Sequence, residues 1–204
     1  MIPIILRQEE KTDYRTVEQI TCRAFSAAPP TGADDDGMEA LLAQKLRADS
    51  AFVPELDFVA EVDGRVVGNI MYSKSKVIRA DGAVFDTLTF GPISVLPKYQ
   101  LQGVGSALIE QTLTQARSLG YRAVIIFGHE TYYPRFGFRP AVEFGITTAD
   151  GKNFPAFMVL PLYGGALDGV SGKFHHADAF NSLDKAEADA LNAALSAPMD
   201  IDGL

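Results

Sequence analysis

A single cysteine, Cys22, among 204 residues permits no internal disulfide. That excludes the stapled scaffolds of small secreted domains and points to a reducing compartment, the cytoplasm. No run approaches the roughly 20 apolar residues of a membrane-spanning helix. The opening Met1-Ile-Pro-Ile-Ile-Leu-Arg7 reaches a charge too soon for the apolar core of a signal peptide. Neither a targeting nor a spanning segment is therefore expected. Cations are scarce: 18 Lys and Arg stand against 26 Asp and Glu, a net charge of −8, so nucleic acid is a poor partner. What remains is ordinary: 47% hydrophobic and 22% charged residues describe a chain that folds. Its length suits one well-buried domain with an extension, and no solenoid or propeller repeat is visible.

Hydrophobic spacing gives the elements. Ile4-Ile5-Leu6 reads as a first strand, followed from Asp13 by a helix with Tyr14, Val17, Ile20, Thr21, Ala24 and Phe25 on one side. Residues 26–37 combine prolines, glycines and an acidic run into a loop, and Met38, Leu41, Leu42 and Leu46 mark a second helix. Residues 58–62 and 65–73, joined by Asp63-Gly64, predict a β-hairpin, and Val77–Phe85 extends the meander. Leu88–Val95 supplies another strand, residues 104–119 a long helix closed by Gly120, and Ala123–Phe127 an apolar strand covered on both faces. Strand, helix, strand implies a crossover. Two further strands are expected at residues 144–148 and 156–160, around an Asp150-Gly151 turn. The division predicted is a core over residues 1–163 and an appended segment over 164–204, glycine-rich and then helical from Leu183 to Leu195.

The segment with chemistry in it is Gly91-Pro-Ile-Ser-Val-Leu-Pro-Lys-Tyr-Gln-Leu-Gln-Gly-Val-Gly-Ser-Ala-Leu108, a strand, a turn and a helix start. Such a junction aims backbone N–H groups and the positive end of a helix dipole at one point, and can hold an anion without a lysine. Three or four N–H bonds to charged oxygens, at roughly 1.5–3 kcal/mol each, suffice to anchor a pyrophosphate. The dinucleotide fingerprint would need Gly or Ala at position 108, which is Leu, and the P-loop would need Gly-Lys-Ser/Thr, which is absent. Gln100-x-x-Gly103-x-Gly105 after Ile93-Ser-Val-x-Pro97 resembles motif A of the GNAT superfamily of N-acetyltransferases. Tyr133-Pro-Arg-Phe-Gly137-Phe138 resembles that superfamily's Tyr-x-x-x-Gly-Phe segment. The likeness covers about residues 4–162.

The resemblance implies an α+β fold of three layers. Its central sheet is mixed and mainly antiparallel, flanked by helices and splayed between the fourth and fifth strands, with the pantetheine arm of acetyl-CoA in the split. It assigns the arm to backbone groups of Ile93, Ser94 and Val95, and the pyrophosphate to Gln100, Leu101, Gln102, Gly103, Val104, Gly105 and Ser106. Tyr133 aligns with the tyrosine that protonates the departing thiolate, while Tyr132 is read as structural. For the base that frees the acceptor amine, Glu61, Asp86, His129, Glu130 and water stay open. Cys22 is read as packing, and His175-His176-x-Asp178 lacks zinc spacing, so no metal is expected. The activity implied is direct transfer of acetyl from acetyl-CoA to a small-molecule or peptide amine in a ternary complex. A catalytically silent acyl-CoA-binding module is the alternative and dinucleotide oxidoreduction a distant third. The acceptor is unassigned, its determinants being placed about residues 26–40 and 146–156, and a homodimer through the sixth and seventh strands or the tail stays open.

Overall fold

The structure, a computed structural model, describes residues 2–26 and 38–196, so all but one position of the predicted loop over 26–37 lies outside the described residues. The chain divides into two compact units, one of Met1–Met71, Gly91–Thr112 and Asp178–Leu204, the other of Tyr72–Phe90 and Leu113–Ala177.

In the first unit, β1 (Ile5–Gln8) pairs antiparallel with β2 (Phe58–Val62), and β2 with β3 (Arg65–Ile78) through the Asp63-Gly64 turn, Val62 opposite Arg65. The helices α1 (Tyr14–Ser26) and α2 (Met38–Ala48) pack on one another. The helical stripe read from the sequence is the buried one: Val17, Ile20, Thr21 and Ala24 on α1, Leu41, Leu42 and Leu46 on α2. The C-terminal α4 (Lys185–Leu195) lies against both helices, with Asp184 capping its first turn through Glu187 N. Phe180 and Leu183 join Leu42, Ala43, Leu46 and Met71 in one apolar cluster.

Arg47 of α2 is buried between two carboxylates, with Nη2 2.7 Å from Glu9 and Nη1 2.7 Å from Glu18, and its guanidinium lies 4.1 Å from the Tyr14 ring centroid. A buried cation is tolerable only when so paired. Asp57, buried and hydrogen-bonded to the Glu9 carboxylate, is pushed up to about 9 by desolvation first and by Glu9 second, so at neutral pH it keeps its proton.

In the second unit β3 continues, and the Arg79–Ala83 turn leads into β4 (Val84–Val95), both strands running on beyond the spans expected for them. The crossover through α3 (Val104–Ser118) brings β5 (Ala123–Phe127) parallel to β4, with Leu88 opposite Val124. β8 (Phe157–Pro161) pairs antiparallel with β5 along its whole length and, on its other side, with the short β6 (Arg139–Pro140). The strand expected over 144–148 shortens to β7 (Ile146–Thr148), and it departs from the sequence reading in its partner: with both sides of β8 already taken, it pairs parallel with β9 (Gly172–His175), which also pairs with β3. Val77, Ile125, Phe157, Val159 and Phe174 form the core on this face. The glycine-rich stretch before β9 is held by arginines: Arg117 Nε donates to Leu162 O, Arg122 Nη1 to Ala166 O and Arg79 Nη1 to Gly169 O, at 3.2, 2.9 and 3.1 Å. The architecture is thus mixed α/β, its sheet mainly antiparallel with parallel pairs at β4–β5 and β7–β9. Among the described residues no helix is long and apolar enough to cross a membrane.

Candidate active site

In the first unit, β4 ends in a 3-10 turn over Pro97–Tyr99, and Leu96 N donates to Val67 O of β3 at 2.9 Å. Leu101 at φ 60° and Gly103 at φ 91° then swing the chain into α3, where Ala107 N reaches Gly103 O and starts the helical ladder. The N–H groups of the first helical turn therefore point toward Gly103. A Cβ added to Gly103 would meet nothing within 4 Å, so the cradle is open on that side. Leu101 is fully exposed at its lip.

The two glutamines of the motif have bracing roles. Gln100 Nε2 donates to Val95 O at 2.9 Å and Gln102 Nε2 to Lys98 O at 2.7 Å, so their side chains hold the turn while their backbones stay in the cradle. Ile93 and Val95 are half-buried and Ser94 buried, as strand alternation requires. Ser94 Oγ donates to Thr21 Oγ1 at 3.1 Å, and Thr21 Oγ1 to Asn69 Oδ1 at 3.4 Å, which fastens β4 to α1 and β3. Val104 is buried, whereas Gly105 and Ser106 are partly open.

Tyr133 lies in the second unit, at the start of a 3-10 turn over Tyr133–Phe136 that follows β5. Its backbone N–H donates to His129 O at 3.3 Å. The ring is enclosed by Phe90 and Phe138, each 5.8 Å away between centroids, and by Tyr132 at 5.1 Å. Burial raises its pKa above the ordinary phenol value, so the hydroxyl keeps its proton. Tyr132 carries the Arg135 guanidinium 4.5 Å over its ring.

Gly128 is the residue that sequence reading missed. A Cβ there would stand 2.2 Å from Tyr133 Cε2 and 2.6 Å from Cδ2, so the tyrosine ring comes against backbone with room for glycine alone. A glycine after an apolar strand signals a turn, and nothing local announces a ring five positions on. Of the groups weighed as bases, Glu61 accepts from Arg7 Nε at 2.7 Å, and Asp86, His129 and Glu130 are exposed. Cys22 is half-buried on α1. Among the described residues no three His, Cys, Asp or Glu side chains gather as metal ligands would.

Residues 55–140 match the family described as "Acetyltransferase (GNAT) domain". An Escherichia coli K12 protein named uncharacterized N-acetyltransferase YjhQ is 31% identical over 153 residues, which span 74% of this chain and 75% of that protein. The chain belongs to the GNAT family. As a GNAT acetyltransferase it is an acyltransferase, and the mixed sheet with its parallel β4–β5 pair is the fold of that family. The E. coli uncharacterized N-acetyltransferase YhbS is 28% identical over 179 residues, 87% of this chain and 99% of its own. The crystal structure of YhbS in complex with CoA superposes with a TM-score of 0.76 and 28% identity, covering 89% of this GNAT chain and 93% of that one. A GNAT family acetyltransferase from Brucella melitensis in complex with acetyl-CoA gives 0.67 and 30%, covering 88% and 99%.

Proposed function

We propose that this GNAT protein transfers the acetyl group of acetyl-CoA to a primary amine by direct attack in a ternary complex. The observation that carries the proposal is the Gly103-capped start of α3, an open anion cradle of backbone N–H groups at the end of β4. It is supported by relatives of 28% and 30% identity whose structures hold CoA and acetyl-CoA.

In this reading acetyl-CoA supplies a thioester carbonyl open to attack. Backbone groups of Ile93, Ser94 and Val95 pair with its pantetheine arm. Leu101–Ser106, braced through Gln100 and Gln102, receives the pyrophosphate, where bonds to charged oxygen are the stronger kind. The amine nitrogen bonds to the carbonyl carbon, the C–S bond breaks with its electron pair going to sulfur, and the Tyr133 hydroxyl donates its proton there. A free thiol titrates near 8.5 and a phenol near 10, a gap of about 2 kcal/mol that burial of Tyr133 widens. Tyr133 therefore acts first as a hydrogen-bond donor to the charge growing on sulfur, gives up its proton as the thiolate departs and takes one back from water, so that it rests protonated at neutral pH. The acceptor must also shed a proton. Glu61 is held by Arg7, whereas His129 and Glu130 are exposed at the end of β5 in the turn that carries Tyr133 and in this reading would pass it to water.

The test is CoA release on incubation of acetyl-CoA and protein with a panel of small amines, polyamines and lysine peptides. Amine-dependent release establishes the transferase. Tight acetyl-CoA binding with no release for any amine would instead make the chain the silent acyl-CoA-binding module.

A further inference from the structure

The last residues of β4 are held from both faces by two neighbours on β3, Gly68 and Asn69, all within the first unit. Gly68 faces α3. A Cβ there would stand 2.8 Å from Ser94 O, 3.3 Å from Val95 Cγ2 and 3.2 Å from Val104 Cγ1, so β3 lies close against the strand that leads to the cradle and against the first residue of α3. Asn69 faces α1, where its Oδ1 ends a short chain of hydrogen bonds. Ser94 Oγ donates to Thr21 Oγ1 at 3.1 Å, and Thr21 Oγ1 in turn to Asn69 Oδ1 at 3.4 Å. Thr21 is a fixed point, because α1 is fastened to α4 by Arg15 Nη2 on Ala194 O and by Gln19 Nε2 on Leu195 O, at 3.0 and 3.3 Å. All three side chains of the chain are buried, and Asn69 Nδ2 has no partner in the protein. A buried donor left unpaired loses its bonds to water, a cost that an apolar side chain of the same size would not carry. Stability alone therefore favours an apolar residue at position 69.

We propose that Thr21 is a positioning residue for acetyl-CoA, acting through Ser94, and that Asn69 sets the direction in which it acts. The inference rests on the assignment of the Ile93–Val95 backbone to the pantetheine arm. A serine hydroxyl readily hydrogen-bonds the backbone N–H and C=O groups beside it. In β4 these include the groups that the arm pairs with, so a free Ser94 hydroxyl would compete with the cofactor. Thr21 removes the competitor by accepting its hydrogen bond. It can accept only while its own proton points elsewhere, and Asn69 Oδ1, an acceptor that cannot donate, takes that proton. Gly68 completes the device on the opposite face. With Ser94 O, Val95 and Val104 all close against it, a shift of Ser94 is passed to the start of α3, where the pyrophosphate is received in this reading.

The experiment measures acetyl-CoA affinity by calorimetry, and KM and kcat with the best amine of the panel, on the full chain and its variants. Thr21→Val keeps the shape and loses the hydroxyl. It should weaken binding about tenfold, with KM for acetyl-CoA rising in step and kcat nearly unchanged. Thr21→Ser keeps the hydroxyl and should restore the parent values. Adding Ser94→Ala to Thr21→Val should recover most of the lost affinity, because the competing hydroxyl is gone, an outcome that general damage to packing cannot give. Asn69→Leu should melt no lower than the parent and yet bind acetyl-CoA more weakly, and it decides the matter should Thr21→Val fail to fold. Parent affinity in Thr21→Val or in Asn69→Leu, equal losses in Thr21→Val and Thr21→Ser, or no recovery on adding Ser94→Ala overturns the proposal. A parent chain that binds acetyl-CoA but releases no CoA with any amine refutes the transferase alone, since the affinities still decide the positioning. One that binds none refutes both.

Discussion

Replacing Gly128 with alanine adds one methyl group at the point where the structure has least room. The new Cβ would lie 2.2 Å from Tyr133 Cε2, 2.6 Å from Cδ2 and 3.2 Å from Cζ. Carbon atoms rest at about 3.5 Å, so the ring must withdraw by about 1.3 Å. Retreat is blocked by Phe90, Phe138 and Tyr132, with centroids 5.1 to 5.8 Å away. The phenol is therefore displaced and not merely compressed. Overpacking of this kind costs about 1–3 kcal/mol of stability, which for a domain of this size lowers the melting temperature by several degrees. A misplacement of about 1 Å at a reacting group can cost 10²-fold in rate, and that is the fall in kcat expected for Gly128→Ala with the best amine of the panel, at unchanged acetyl-CoA affinity. The double variant Gly128→Ala/Tyr133→Phe separates positioning from general damage: once the hydroxyl is gone, moving the ring should cost little more. A Gly128→Ala protein that turns over at the parent rate would refute the reasoning, and so would a double variant whose loss is the product of the two single losses.

Tyr133→Phe should lower kcat by 10²–10⁴-fold with acetyl-CoA affinity retained. Because burial raises its pKa, the parent rate should show no downturn from tyrosine ionisation up to pH 10, and a limb near pH 8 that Tyr133→Phe abolishes would contradict the structure. Gly105→Val places a β-branched side chain at the mouth of the cradle and should weaken acetyl-CoA binding at least tenfold, about 1.4 kcal/mol, by calorimetry on folded protein. Asp57 keeps a proton in the folded chain that it loses in the unfolded one, its pKa rising from 3.8 to about 9. Its linkage therefore lowers stability as pH rises between those values, by at most about 1.4 kcal/mol per pH unit, and Asp57→Asn should flatten the urea midpoint across pH 5–9. Parallel profiles for the two proteins would remove Asp57 from the account.

Local chemistry was legible in the chain. The Asp63-Gly64 hairpin, the α3 stripe ending at Gly120 and the apolar β5 each carry their signal within one short contiguous segment, and the crossover that sets β4 beside β5 follows from their order. The cradle could be read for the same reason, since a helix start and its glycines are contiguous. What escaped was decided at long range. β7 joins β9 because β8 is already paired on both sides, which no property of residues 144–160 announces. Arg47 meets Glu9 and Glu18 across spacings of 38 and 29 positions. Glu61 reads as suitable a base as any, and the ion pair with Arg7, 54 positions away, is set only by the β1–β2 pairing. The stack of Phe127 with Phe154, Phe157 and Phe174 is assembled from three segments that each read as ordinary hydrophobic sequence.

The arginine-held stretch between β8 and β9 has a consequence for how such a sequence can drift. Within this stretch the side chains of Arg79, Arg117 and Arg122 hydrogen-bond carbonyl oxygens, of Gly169, Leu162 and Ala166, while Arg79 also pairs with Asp81 in its own turn. A carbonyl is the same in every amino acid, so part of the instructions for the shape of this stretch is written elsewhere, just after β3, at the end of α3 and just before β5. Its exposed side chains are at liberty to vary while its path stays fixed, whereas the buried Leu162, Ala166 and Val170 and the left-handed Gly165 and Gly169 are not. A comparison of relatives by sequence would then score its exposed positions as unconstrained and overlook the restraint from three arginines 44 to 90 positions upstream.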